Sequence, residues 1–131
     1  MNEARFLTGI FSVYDSERAL DFNDSENYPI GLELIFTNDT TGKEFAQRFH
    51  NALAALPEEK GITYRVQGSD TEPVRGYDCF FRDTDSLRRV LADSFDGIGM
   101  YHEEEQRVIP RTALIDQARK IMATRQQALT F

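Results

Sequence analysis

Tyr28-Pro29-Ile30-Gly31-Leu32-Glu33-Leu34-Ile35-Phe36-Thr37 decides how the rest of the chain is read. Ile30, Leu32, Leu34 and Phe36 share one parity, while Gly31, Glu33, Ile35 and Thr37 share the other. Side chains of a strand alternate between its two faces, so this period marks a half-buried β-strand. Downstream, Asn38 to Gly42 supplies a turn, and Thr41-Gly42-Lys43-Glu44 matches a capping box, in which Thr and Glu satisfy each other's backbone amides. Phe45, Phe49, Leu53 and Leu56 then recur at helical spacing, which predicts an amphipathic helix over residues 42–56, ending near Pro57.

Gly61 resets the pattern. Ile62, Tyr64 and Val66 alternate with Thr63, Arg65 and Gln67, and after a loop over residues 68–76 the run Tyr77 to Arg82 supplies a partner strand. Asp83 or Thr84 caps a second helix carrying Leu87, Val90, Leu91 and Phe95, which stops at Asp96-Gly97. Ile98, Met100 and His102 mark a further strand, turned by Glu104-Glu105-Gln106 into Arg107-Val108-Ile109. Pro110 opens a third helix, whose apolar side is Leu114, Ile115, Ala118, Ile121 and Met122. Upstream, Arg5 to Tyr14 is rich in branched and aromatic residues and reads as the first strand. Residues 15–27 read as an acidic loop, with room for one short strand around Leu20 and Phe22.

These elements predict a single α+β domain over residues 1–131, a mixed or largely antiparallel sheet with three helices. The β-α-β-β-α-β order from Tyr28 to Glu103 is that of a ferredoxin-like core. A length of 131 residues suffices for a packed core without metal or disulfides, and a lone cysteine, Cys79, has no internal partner. No run of about 18 apolar residues marks a membrane span, and Met1-Asn2-Glu3-Ala4-Arg5 lacks a signal-peptide pattern. A cytoplasmic protein is expected.

Fifteen basic residues against 22 acidic ones give a net charge of −7, which argues against direct binding of nucleic acid. The charge is uneven. Residues 1–106 carry 10 basic and 21 acidic side chains, and residues 107–131 carry 5 and 1. Two segments hold much of the excess: Asp15, Glu17, Asp21, Asp24 and Glu26, interrupted by Arg18 alone, and Glu103, Glu104 and Glu105. Such runs usually face water; the alternative is a docking surface for a basic protein, with Phe22, Tyr14 and Tyr28 as aromatic anchors.

Other chemistries fit less well. Asp15, Glu17, Asp21, Asn23 and Glu26 have the spacing of a calcium loop, but Leu20 occupies the position where the turn requires glycine. Cys79, His50 and His102 lack zinc spacing, so no metal or cofactor is expected. Cys79 shares a strand face with Tyr77 and Phe81, which suits a core thiol. Residues 37–44 end in Gly-Lys but miss the leading glycine and the hydroxyl of a phosphate loop. His102 beside the three glutamates is the one acid–base candidate, with no nucleophile or oxyanion donors around it.

Val108-Ile109-Pro110, Ala113-Leu114-Ile115-Asp116-Gln117-Ala118, Ala123-Thr124-Arg125 and the ending Leu129-Thr130-Phe131 together resemble the tail of a family of bacterial polymorphic-toxin immunity proteins, which includes immunity proteins against deaminase toxins. Phe131 stands where that family has Trp and Arg125 where it has Gly, and the resemblance is confined to residues 108–131. It implies a small non-catalytic inhibitor that blocks a basic, nucleic-acid-handling toxin. The partner-binding residues expected are Asp15, Glu17, Asp21, Asp24, Glu26, Glu103, Glu104 and Glu105 on charge, and Phe22 as an aromatic anchor. The chain itself would be a monomer or weak dimer. Two alternatives share features with this reading: a virus-encoded inhibitor of a host defence complex, of the anti-CRISPR kind, and a small enzyme or ligand-binding domain using His102.

Overall fold

The computed structural model describes residues 5–128. Its elements are β1 (Phe6–Asp15), a single 3-10 turn (Ser16–Arg18), β2 (Ile30–Thr37), α1 (Thr40–Ala54), β3 (Gly61–Gln67) and β4 (Val74–Phe81), followed by α2 (Thr84–Ser94), β5 (Gly99–His102), β6 (Arg107–Ile109) and α3 (Arg111–Ala128). The six strands form one mixed sheet in the order β3-β4-β2-β1-β5-β6. Every neighbouring pair is antiparallel except β1 and β5. The result is a single α+β domain. A ferredoxin-like core would set β5 directly against β2; here β1 lies between them, pairing with β2 along Gly9–Asp15 and with β5 along Phe6–Gly9.

Strand parity sorts the side chains. Leu7, Phe11 and Val13 of β1, Ile30, Leu32, Leu34 and Phe36 of β2, and Tyr77, Cys79 and Phe81 of β4 point to one face and are buried. Phe45 and Phe49 of α1, Leu87, Val90 and Leu91 of α2, and Leu114, Ile115, Ala118 and Ile121 of α3 pack on that same core. The helical stripes therefore go where their periodicity points, and burying such side chains contributes about 1.5–3 kcal/mol each before conformational entropy is counted. All three helices cover one face of the sheet, and no helix among the described residues covers the opposite face.

Helix ends follow side-chain chemistry, with one departure from expectation. Asp83 caps α2, its Oδ1 accepting from the Ser86 amide at 2.8 Å, and the chain leaves α2 through Gly97 at φ +71°, a conformation glycine adopts without strain. The expected Thr41–Glu44 capping box does not form. Asp39 is the cap instead, its Oδ1 accepting from the Gly42 amide at 2.8 Å, so α1 begins earlier, and Glu44 is turned to Arg48 and Arg5. An aspartate reaching the third amide does the work that the box divides between two residues. Asn38, just before it, donates to the carbonyls of Ser69 and Glu72 and so ties down the loop between β3 and β4.

No strand forms around Leu20 and Phe22. Asp15 Oδ1 accepts from the Glu17 amide and starts the 3-10 turn, Leu20 is 98 % exposed, and Phe22 folds inward to 9 % exposure. Phe22 joins Tyr28 and Phe80 in a small second cluster on the helix-free face, with Tyr14 and Ile62 at its margin. Both ends of this loop are clamped by α3: Arg125 bonds both carboxylate oxygens of Asp15 and the carbonyl of Ser25.

Candidate binding cleft on the open sheet face

The uncovered face is made of the residues of opposite parity. Cross-strand partners share a face, so Phe6, Thr8, Ile10, Ser12 and Tyr14 of β1 stand beside Gly31, Glu33, Ile35 and Thr37 of β2, with Val74, Asp78 and Phe80 of β4 next in line. Phe6, Val74, Tyr101 and Val108 on this face are all exposed. At the end nearest the 16–29 loop the surface dips into a cleft of about 400 Å³. Ser12, Glu33 and Asp78 contribute to it from the strands, Tyr14, Tyr64 and Phe80 are among the rings lining it, and Arg18 to Asp21 supply part of the rim.

A β-bulge builds one wall. The β3–β4 register slips between Thr63 and Arg65: Thr63 pairs with Cys79, Arg65 pairs with Asp78, and Tyr64 is the extra residue. The strict alternation expected from sequence places Tyr64 and Arg65 on opposite faces. The bulge brings both to the open face, where Tyr64 meets the edge of Phe80 at 5.5 Å between centroids and Arg65 bonds Asp21 at 2.8 Å. Tyr64 also donates its hydroxyl to the Asp21 carbonyl, which fixes the rim to the wall. The Tyr14 ring lies over Gly31, where a Cβ would sit 2.6 Å from its Cζ, so only glycine admits the ring at that place.

The central feature is a like-charged pair. Glu33 and Asp78 are direct cross-strand partners, which sets their Cβ atoms roughly 5 Å apart. Burial raises the Glu33 pKa above the ordinary carboxylate value, and the charge of Asp78 raises it further. Burial raises Asp78 too, with Arg65 opposing. Tyr14 is pushed up to about 12, by burial first and then by the charges of Asp78 and Glu33. Among the described residues no ion pair reaches Glu33 or Asp78. Clustered shifts of this kind in a concavity are a mark of functional sites.

The residues expected from sequence to bind a partner are dispersed by the fold. Asp15 is held by Arg125, Asp21 by Arg65, and Asp24 accepts from the Asn27 side-chain Nδ2 at 2.8 Å, while Glu17 and Glu26 are exposed and outside any ion pair among the described residues. Phe22, expected as an exposed anchor, is a packing residue, its ring stacked on Phe80 with centroids 3.8 Å apart. Glu103, Glu104 and Glu105 lie in the turn after β5, with Glu105 paired to Arg107. The Glu103 amide bonds the Gly9 carbonyl, six strand residues and so about 20 Å from Asp15, and the two acidic segments do not merge into one patch.

His102 is 6 % exposed, edge-on to Phe11, and its Nδ1 accepts from the Glu105 amide at 3.3 Å. It organises the turn and faces the core. His50 instead shares a 3.0 Å hydrogen bond with the Tyr77 hydroxyl. Cys79 is fully buried and its thiol is pushed up to about 12 by desolvation. No three His, Cys, Asp or Glu side chains among the described residues converge as metal ligands, and no described helix is long and apolar enough to cross a membrane.

Comparison with known proteins adds no relative: no family model, curated protein or solved structure matches the chain.

Proposed function

We propose that this protein is a small acidic inhibitor of the immunity type, which binds and blocks a basic, nucleic-acid-handling bacterial toxin or effector in the cytoplasm and performs no reaction of its own. One observation carries this reading: the architecture is one-sided. Three helices make the core on one face of the sheet, and the other face presents exposed apolar side chains, Leu20 and Tyr64 lining the cleft and Phe6, Val74, Tyr101 and Val108 beyond it, while the cleft carboxylates Glu33 and Asp78 stand outside any ion pair among the described residues. Apolar surface left uncovered beside an excess of negative charge suits a protein partner of opposite sign, because the rings supply burial and the carboxylates supply orientation and encounter rate. The overall acidity supports the same partner and opposes nucleic acid itself.

The experiment is capture of the tagged chain's partner in its native host, followed by reconstitution from pure components. The expected result is a stoichiometric basic protein whose nucleic-acid-directed activity is suppressed on mixing, with association slowed as salt rises. A phage-borne context with a defence complex as the captured partner replaces toxin immunity with anti-defence. Isolation of the chain alone, or with a bound metabolite, overturns the inhibitor reading.

A further inference from the structure

Two carboxylates set side by side across neighbouring strands repel each other, and like charges directly opposite on a sheet are destabilising. The chain relieves this only in part, through the charge of Arg65 acting on Asp78 without an ion pair. Arg65, the nearest cation in register with Asp78, is bonded to Asp21 and stacked over the Tyr64 ring at 5.7 Å, and Arg18 stands at the rim outside ion-pair distance of either acid. The Tyr14 ring has no cation over it among the described residues.

We propose that the cleft on the open sheet face receives one arginine side chain of the protein partner, its guanidinium shared between Glu33 and Asp78 and its plane against the Tyr14 ring. The proposal rests on the inhibitor reading for the identity of the occupant, and on the cleft alone for its chemistry. Arginine is specified over lysine by the donor geometry. A guanidinium carries five N–H donors in a plane, enough to bond two separate carboxylates while its face lies on an aromatic ring, whereas an ammonium is a compact, strongly hydrated point charge. The chain already uses this mode at the same place, since Arg65 combines an aspartate with a tyrosine face. A site of about 400 Å³ also matches one long side chain better than a folded element.

The test titrates acetyl-Gly-Arg-Gly-amide into the full chain at low ionic strength, following the side-chain carboxyl signals of Glu33 and Asp78 and the ring signals of Tyr14 by NMR. The expected result is a saturable shift at all three residues in the millimolar range. The citrulline peptide, which keeps the shape and loses the charge, and the Glu33→Gln/Asp78→Asn variant should each weaken binding at least about tenfold, since each removes the charge-assisted hydrogen bonds. Removal of like charges leaves the variant folded, which its circular dichroism checks. Equal binding of the citrulline peptide, or of acetyl-Gly-Lys-Gly-amide, overturns the arginine assignment. A basic partner that binds the double variant as tightly as the native chain takes the cleft out of the interface and leaves the inhibitor reading standing. Saturable arginine binding in a protein that captures no basic partner does the reverse.

Discussion

Arg125 grips Asp15 with two guanidinium nitrogens, Nη2 at 2.6 Å from Oδ1 and Nε at 3.2 Å from Oδ2, joining positions 110 residues apart. Its Nη1 bonds the Ser25 carbonyl at 2.8 Å. The basic end of the chain thus holds down both ends of the acidic loop, so part of the charge asymmetry visible along the sequence is consumed inside the molecule.

Loss of this fork should be felt in stability and in its acid limb. The two side chains are 21 % and 27 % exposed, so solvent screens them in part, and Arg125→Ala should cost about 1–2 kcal/mol in urea unfolding. Burial pushes the Asp15 carboxyl up, but the Arg125 bonds and the Glu17 amide outweigh it and hold its pKa below 3.8. A depressed folded pKa contributes stability above the unfolded value, lost as pH falls through the folded one. The native chain should therefore lose this increment below about pH 4, whereas Asp15→Asn, lacking the charge at every pH, should show no such step.

The opposite sign holds in the cleft. Glu33 and Asp78 have raised folded pKa values, so each stabilises the fold more when protonated, and that increment disappears as pH rises through the folded pKa. Glu33→Gln should raise stability at pH 7 by up to about 1 kcal/mol and change it much less near pH 3.5. Thermal unfolding at the two pH values checks this; a variant destabilised at pH 7 refutes the repulsion.

Phe22→Ala separates packing from docking. Removal of a ring stacked on Phe80 should destabilise the protein by about 3 kcal/mol and render residues 16–29 sensitive to protease before global unfolding. Unchanged stability would return Phe22 to the role of surface anchor.

The two helix-start possibilities for α1 predict different variants. Asp39→Ala should cost about 1 kcal/mol, while Thr41→Ala should be near neutral, because only Asp39 holds the Gly42 amide.

Cys79 should stay silent toward a thiol reagent in the native state and react fully in denaturant. Its fully buried position and a pKa near 12 deny the reagent both access and thiolate at pH 8.

The helices and strands were largely legible because each carries one uninterrupted period: Ile30 to Phe36 at two, Phe45 to Leu56 near 3.6. The order of the strands was not, since nothing in Phe6 to Asp15 announces that β1 wedges between β2 and β5. The cleft was half visible. Glu33 and Asp78 already stood at outward parities, but their meeting depends on the β2–β4 register, a long-range relation that no local pattern encodes. The alternation of Tyr64 with Arg65 does not survive in the fold, because one unpaired residue inverts the parity beyond it, and a bulge has no signature in Thr63-Tyr64-Arg65. Charge counting favoured residues 15–26, where abundance of carboxylates hid the fact that several are already partnered.

The same bulge has a colloidal consequence. β3 is an outermost strand, and an outermost strand with a regular row of free amides and carbonyls is a template for stacking one molecule onto the next. With its spacing broken between Thr63 and Arg65, and a charged arginine at the break, β3 offers an incoming strand no continuous ladder. The irregularity that shapes the cleft thereby also guards the chain against fibrous self-assembly, so a deletion of Tyr64 that restores even pairing should both flatten the cleft and shorten the lag before aggregation.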